Sequence, residues 1–411
     1  MTNFETLLKD YVRLLVRVGL NVQKGQKVMI SVPVECAEIA RLAAKEAYDA
    51  GAGEVHMRWR DDVIGRMWYD HADDKAFDEF PAWTKLMLDT LSEDGAAVLS
   101  FAADDPEMLL GVDADKIMRS QASARKALEG YQQKVMNNEV QWTVASIPTV
   151  KWAKKVFPGV SEDEAIDKLW KAIFDASRVD GNDAAANWAK HKQDLGARAK
   201  ILNDYQFTKL RFMNAAGTDL EIAMPNNHKW ICAGERSRGG VDFLANIPTE
   251  EIFTAPHKDG ANGRVVSTLP LEYFGNLIED FVVDFKDGKV VNATAKKNED
   301  LLKKLLANVP NADRLGEIAL VPYNSPISNS KVLFYNTLFD ENASCHLAFG
   351  KAYPSCIKGG DKMSKDELTA VGINDSLEHT DFMVGSADMS IKGYTAEGKE
   401  VDVFVNGNFA F

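Results

Sequence analysis

The sequence predicts an α/β N-terminal domain built on a parallel sheet, followed by a strand-rich α+β C-terminal domain. Three observations carry that expectation. Residues 27–59 read as strand, helix, strand; the texture changes near 195–205 from mixed helix and strand to alternating β-rich runs; and Asx-Gly pairs separate such runs in the second half. A strand–helix–strand order implies a parallel sheet with a right-handed crossover. A chain of 411 residues suits two domains, expected as 1–200 and 201–411.

The first element is a helix, because Phe4, Leu7, Leu8, Tyr11, Leu14, Leu15 and Val18 recur at helical spacing and Gly19 ends the run. "KVMISV" (27–32) is an apolar strand, "ECAEIARLAAKEAYDAG" (35–51) a helix stopped by glycine, and "EVHMRW" (54–59) a second strand in which His56 reads as a core residue. "AAVLSF" (96–101) and "WTVASIP" (142–148) add strands, separated by a long helical segment around 113–135. His71, beside Asp70, Asp73 and Asp74, reads as part of a solvated acidic loop. Residues 161–178 and 183–203 are helical in pattern. Beyond 205, "FTKLRFMNAAGTDLEIAM" alternates as a hairpin, and Asp287-Gly288 and Asn406-Gly407 mark two more.

Composition narrows the function classes. With 48 basic and 61 acidic residues the net charge is −13, which argues against a general binder of nucleic acid or anionic membrane. Lys9, Asp10, Arg13 and Arg17 interrupt any signal-peptide core, and no stretch approaches the roughly 20 apolar residues of a membrane span. Cys36, Cys232, Cys345 and Cys356 are scattered, as expected of reduced thiols in the cytoplasm.

Four segments of the second half place acids and histidines among apolar or turn-rich neighbours. "NIPTEEIFTAPH" carries Glu250 and Glu251, which face opposite ways if extended, so only one can enter a given site. "RLGEIALVPY" sets Glu317 just ahead of an apolar run, and "LFDENASCHLAFG" brings Asp340, Glu341 and His346 close together. "LEHTDFMVG" spaces His379 and Asp381 two apart, on one face of an extended strand. Each segment alone fits a solvated or capping residue. Together they resemble a two-metal hydrolytic site, which takes about five or six carboxylate and imidazole ligands from separated segments. Paired cysteines, an HExxH helix, a P-loop and a GxSxG elbow are all missing from the sequence. Spacing leaves open a hydrolase of another bond, such as a phosphoester, and a non-catalytic peptide-binding protein.

The segments "LLVRVGLNVQKGQKVMISVPVE", "IPTEEIFTAP", "RLGEIALV", "LFDENASCHLAFGKAYP" and "NDSLEHTDFMVG" occur in one order along nearly the whole chain. In that order they resemble the cytosolic metallo-aminopeptidases of the aminopeptidase T and aminopeptidase S type. The resemblance implies a dinuclear site of Glu251, Glu317, His346, His379 and Asp381, with Glu341 as a sixth ligand and Glu317 bridging. The first glutamate of "TEEIF" is variable in that pattern, so Glu250 is set aside. Tyr353 matches the family's active-site tyrosine. The expected cofactors are two divalent ions (zinc, cobalt or manganese), and the expected assembly is a homodimer whose internal cavity admits short peptides. On this reading Tyr353 donates a hydrogen bond to the developing oxyanion, a role worth about 3–4 kcal/mol elsewhere. Glu251 and Glu317 are both candidates for the general base.

Overall fold

The structure of the protein, a computed structural model, describes residues 3–411. It divides into two compact units. The first takes the chain up to His191 together with Gly234–Thr249 and Leu333–Leu338; the second holds Lys192–Ala233, Glu250–Val332 and Phe339–Phe411.

In the first unit, strands β1 (Lys27–Pro33), β2 (Glu54–Arg60), β3 (Ala97–Phe101) and β4 (Trp142–Ala145) form a parallel sheet in the order β2-β1-β3-β4. β1 is central and buried from Val28 onward, as its unbroken apolar run predicts. The Ala37–Asp49 helix turns Ala40, Ala43 and Ala47 inward, at the spacing of one helical face. The opening helix, Asn3–Leu14, widens into a π turn that ends at Gly19, as read from the sequence.

Four local expectations are corrected. The strand expected over 142–148 stops at Ala145, since Pro148 has no amide proton for a ladder. The helical segment around 113–135 is two helices, Ala114–Ala127 and Glu129–Met136, broken at Leu128. His56 is half-exposed beside Glu54, because β2 lies at the sheet edge with a neighbour on one side only. His71 closes the Asp62–His71 helix, whose first turn is capped by the Asp61 carboxylate accepting from the amides of Val63 and Ile64.

In the second unit, an antiparallel eight-stranded sheet contains all three expected hairpins. Asp287-Gly288 and Asn406-Gly407 have positive φ at both positions, the geometry of tight two-residue turns. A second antiparallel sheet lines up Ile231–Cys232, Ile252–Thr254, Leu315–Leu320, His346–Gly350 and His379–Met383 in that order. Directly opposed residues share a face, so the ladder register sorts its side chains. One face presents Ile318, Leu320, Leu347, Phe349 and Phe382, all fully buried in the unit's main core. The opposite face carries Phe253, Ala319 and His346 in one row, Glu317, Ala348 and Asp381 in the next, then Gly350 and His379.

Candidate metal centre

Strand pairing brings four of the acids and histidines singled out in the sequence onto that second face, and a fifth, Glu251, enters it just ahead of a strand. Glu251 stands one residue before the Ile252–Thr254 strand, two positions from Phe253 and therefore on the same side. Donor atoms of Glu251, Glu317 and His346 lie within 4.8 Å of one another, and so do those of Glu317, His379 and Asp381. Glu317 belongs to both groups. Its Oε1 is 3.8 Å from His346 Nε2 and its Oε2 is 3.6 Å from His379 Nε2. Glu251 Oε2 lies 3.2 Å from His346 Nε2, and Asp381 Oδ1 lies 3.6 Å from His379 Nε2.

The remaining residues sit around this cluster. Glu341, on the short turn Glu341–Ala343, is outside both groups but close enough for its charge to interact with Asp381, Glu251, His346 and Glu317. Glu250 is buried and outside both groups; its amide donates to Asn342 Oδ1 at 2.7 Å. Half-buried Tyr353 sets its ring edge-on to His379, centroids 5.3 Å apart, and to Phe253 at 5.9 Å. Its hydroxyl donates no hydrogen bond to a described residue.

Backbone carbonyls orient both imidazoles. His346 Nδ1 faces the Ser344 carbonyl at 3.2 Å and His379 Nδ1 faces the Lys351 carbonyl at 2.7 Å. A carbonyl only accepts, so each Nδ1 carries the proton and each Nε2 is turned toward the carboxylates. Ala319 and Ala348, fully buried beneath the cluster, leave room for the donors above them.

The electrostatics of the cluster suit a cation. Burial opposes charge on His346, but its contact with Glu251 and the charges of Glu251, Asp381 and Glu341 outweigh it and hold the ring up at about 10. His379 is likewise penalised by burial and likewise held up at about 10, by Asp381 and Glu317. Burial, then the charge of Asp381, pushes Glu317 above the usual carboxylate range, and Glu341 is raised by burial and the same neighbours. Asp381 is held low, with His379 overcoming its burial. So many buried carboxylates cannot all ionise without a compensating positive charge. A further observation points the same way: Asp381 Oδ1 is buried and has no hydrogen-bond partner among the described residues. A buried carboxylate oxygen left without a donor, on the strand of His379 and beside the strand of His346, fits a divalent ion. The thiol next to His346 in sequence is no rival nucleophile, since burial pushes Cys345 up to about 12.

Sequence reading had no access to Ser344, Lys351 and Asn342. The first two act through backbone carbonyls, which carry no residue signature. Asn342 follows Glu341 and looks like a turn residue.

Residues 4–409 match the peptidase M29 family, described as thermophilic metalloproteases. Aminopeptidase AmpS of Bacillus subtilis is 46% identical over 411 residues, covering 100% of both chains. Aminopeptidase 2 of Geobacillus stearothermophilus is 44% identical over 411 residues, covering 100% of this chain and 99% of its own. The solved structure of wild-type AmpT from Thermus thermophilus superposes with a TM-score of 0.93 at 34% identity, over 99% of this chain and 100% of that one.

Proposed function

The chain belongs to the M29 family of metallopeptidases and is a metal-dependent aminopeptidase; from that premise we propose that it removes N-terminal residues from short peptides with two divalent ions. The observation that supports two ions is the fork of Glu317, which offers one oxygen to each donor group. In this reading Glu251, Glu317 and His346 would hold one ion and Glu317, His379 and Asp381 the other, with Glu341 as a sixth ligand. Oxygen-rich ligation of this kind tolerates zinc, cobalt or manganese.

When bound, the ions supply Lewis acidity for the scissile carbonyl and acidify water to a pKa near about 7. The protein's own groups do the rest. Glu251 or Glu317 accepts the proton of the attacking water; at Glu317 burial, then the charge of Asp381, raises the carboxyl above its usual range, which favours proton acceptance there. Tyr353, with its hydroxyl uncommitted and its ring fixed between Phe253 and His379, donates to the oxyanion of the tetrahedral intermediate. The acidic face also attracts the α-ammonium group of a peptide, which is what distinguishes an exopeptidase substrate.

We assign the catalytic work to 201–411 and take 1–200 as the accompanying α/β domain. The working form in this reading is a cytoplasmic homodimer, and no helix among the described residues is long and apolar enough to cross a membrane. The test compares aminoacyl-nitroanilides with para-nitrophenyl phosphate, before and after dialysis against a chelator. Nitroanilide cleavage should disappear with the metal and return with zinc, cobalt or manganese. Phosphatase activity alone, or full peptidase activity in protein shown metal-free by elemental analysis, contradicts the proposal.

A further inference from the structure

Glu251 is the one donor of the five that stands outside the strand ladder. Pairing begins only at Ile252, opposite Leu320 and Cys232. A residue ahead of a three-residue strand is poorly held by the sheet, since short strand ends fray first. One contact that holds the chain on the other side of Glu251 comes from 92 residues away: the Glu250 amide donates to Asn342 Oδ1 at 2.7 Å.

Asn342 is fully buried, and the chemistry of its neighbours fixes which way its amide points. An amide proton requires the side-chain oxygen, which leaves Nδ2 for the Glu341 carboxylate, 3.4 Å away. Ser325 Oγ donates to the Asn342 carbonyl at 3.4 Å and anchors the turn itself. The same short turn leads to Ser344, whose carbonyl orients His346, and then to His346. One side chain therefore ties the segment bearing Glu341 and His346 to the segment bearing Glu251. The shortest contact within the donor groups, Glu251 to His346 at 3.2 Å, joins those two segments.

We propose that Asn342 is a positioning residue that fixes Glu251 against His346 and thereby sets the affinity of the site for its cation. The proposal rests on the metal reading above. Leucine or alanine at this position offers neither an acceptor to Glu250 nor a donor to Glu341. Partners that orient ligands in this way typically cost about 10–100-fold in metal affinity when removed.

The test is a double-mutant cycle on metal-free protein: unmodified chain, Asn342→Ala, Glu251→Gln and the double variant. Co2+ affinity is read from the visible absorption of the bound ion, and the melting temperature of each metal-free protein is recorded alongside. Asn342→Ala should lower Co2+ affinity by about 10–100-fold in the unmodified background. In the Glu251→Gln background the penalty should shrink to within about twofold, because the group being positioned has already lost its charge. A purely structural asparagine would cost the same factor in both backgrounds and track the fall in melting temperature; that result overturns the proposal, as does an unchanged affinity. Should Asn342→Ala not fold, Asn342→Ser takes its place in the cycle, with a hydroxyl too short to reach the Glu250 amide. Absence of Co2+ uptake by the unmodified chain defeats the metal reading itself, before Asn342 is altered.

Discussion

At His346 and His379, burial and carboxylates act in opposition on one proton each, and the carboxylates prevail, holding both rings up at about 10. A ligating imidazole must be neutral, so binding a divalent ion near neutral pH has to expel protons from the site. Calorimetry in buffers of different ionisation enthalpy should therefore show net proton release. The sign follows directly: both rings are protonated in the metal-free protein below their raised pKa, so affinity should weaken as the pH falls and strengthen as it rises toward 10. Binding with no proton released would mean that the rings are already neutral. Tyr353 is expected to behave differently, because in the proposed reading its hydroxyl acts on the oxyanion and holds no metal. Tyr353→Phe should leave metal content and KM near normal while kcat falls about 10²–10³-fold, the loss for one oxyanion donor. A raised KM at unchanged kcat would assign the hydroxyl to substrate binding instead.

Within the five-stranded sheet, spacing between strands matters as much as the residues they carry. Gly350 lies opposite His379 with a φ of +91°, and a Cβ built there would fall 2.2 Å from the Glu378 carbonyl oxygen. Gly350→Ala would have to push the His379–Met383 strand away and relax a left-handed backbone. We expect a loss of about 1–3 kcal/mol in urea unfolding, with depleted metal on elemental analysis because His379 and Asp381 move together. Full metal content in the folded variant would contradict this. The same sheet explains what was legible in the sequence. His379 and Asp381 were readable because a period of two puts both on one face, and Glu317 because a carboxylate is conspicuous in an apolar strand. Asn406-Gly407 and Asp287-Gly288 declared their hairpins through turn chemistry. Ser344 and Lys351 were unreadable, since a carbonyl looks alike in every residue. Asn342 was hidden because its partners are an amide 92 residues away and a carboxylate at the limit of contact. His56 was misread because edge position depends on strand order, which one strand's composition does not encode.

For the whole aminopeptidase, the clustered acids are a burden in the absence of a cation. Glu251, Glu317 and Asp381 are crowded on one buried face, with Glu341 near enough to repel them. Divalent metal should therefore raise thermal stability as well as restore catalysis. At a hundredfold excess over Kd the linkage is about 2.7 kcal/mol, or a rise of roughly 5–10 °C for a unit of this size. Differential scanning calorimetry of metal-free and reloaded protein measures it, and an unchanged melting temperature would mean that the folded and unfolded chains bind metal alike. The donors enter the chain at 251, 317, 346, 379 and 381, and the strand Ser390–Tyr394 that pairs with Lys209–Met213 comes later still. On the proposed donor set, a chain emerging from the ribosome has no complete ion-binding face until residue 381 is free, and its eight-stranded sheet still lacks the strands Ser390–Tyr394, Glu400–Val405 and Asn408–Phe409 at that point.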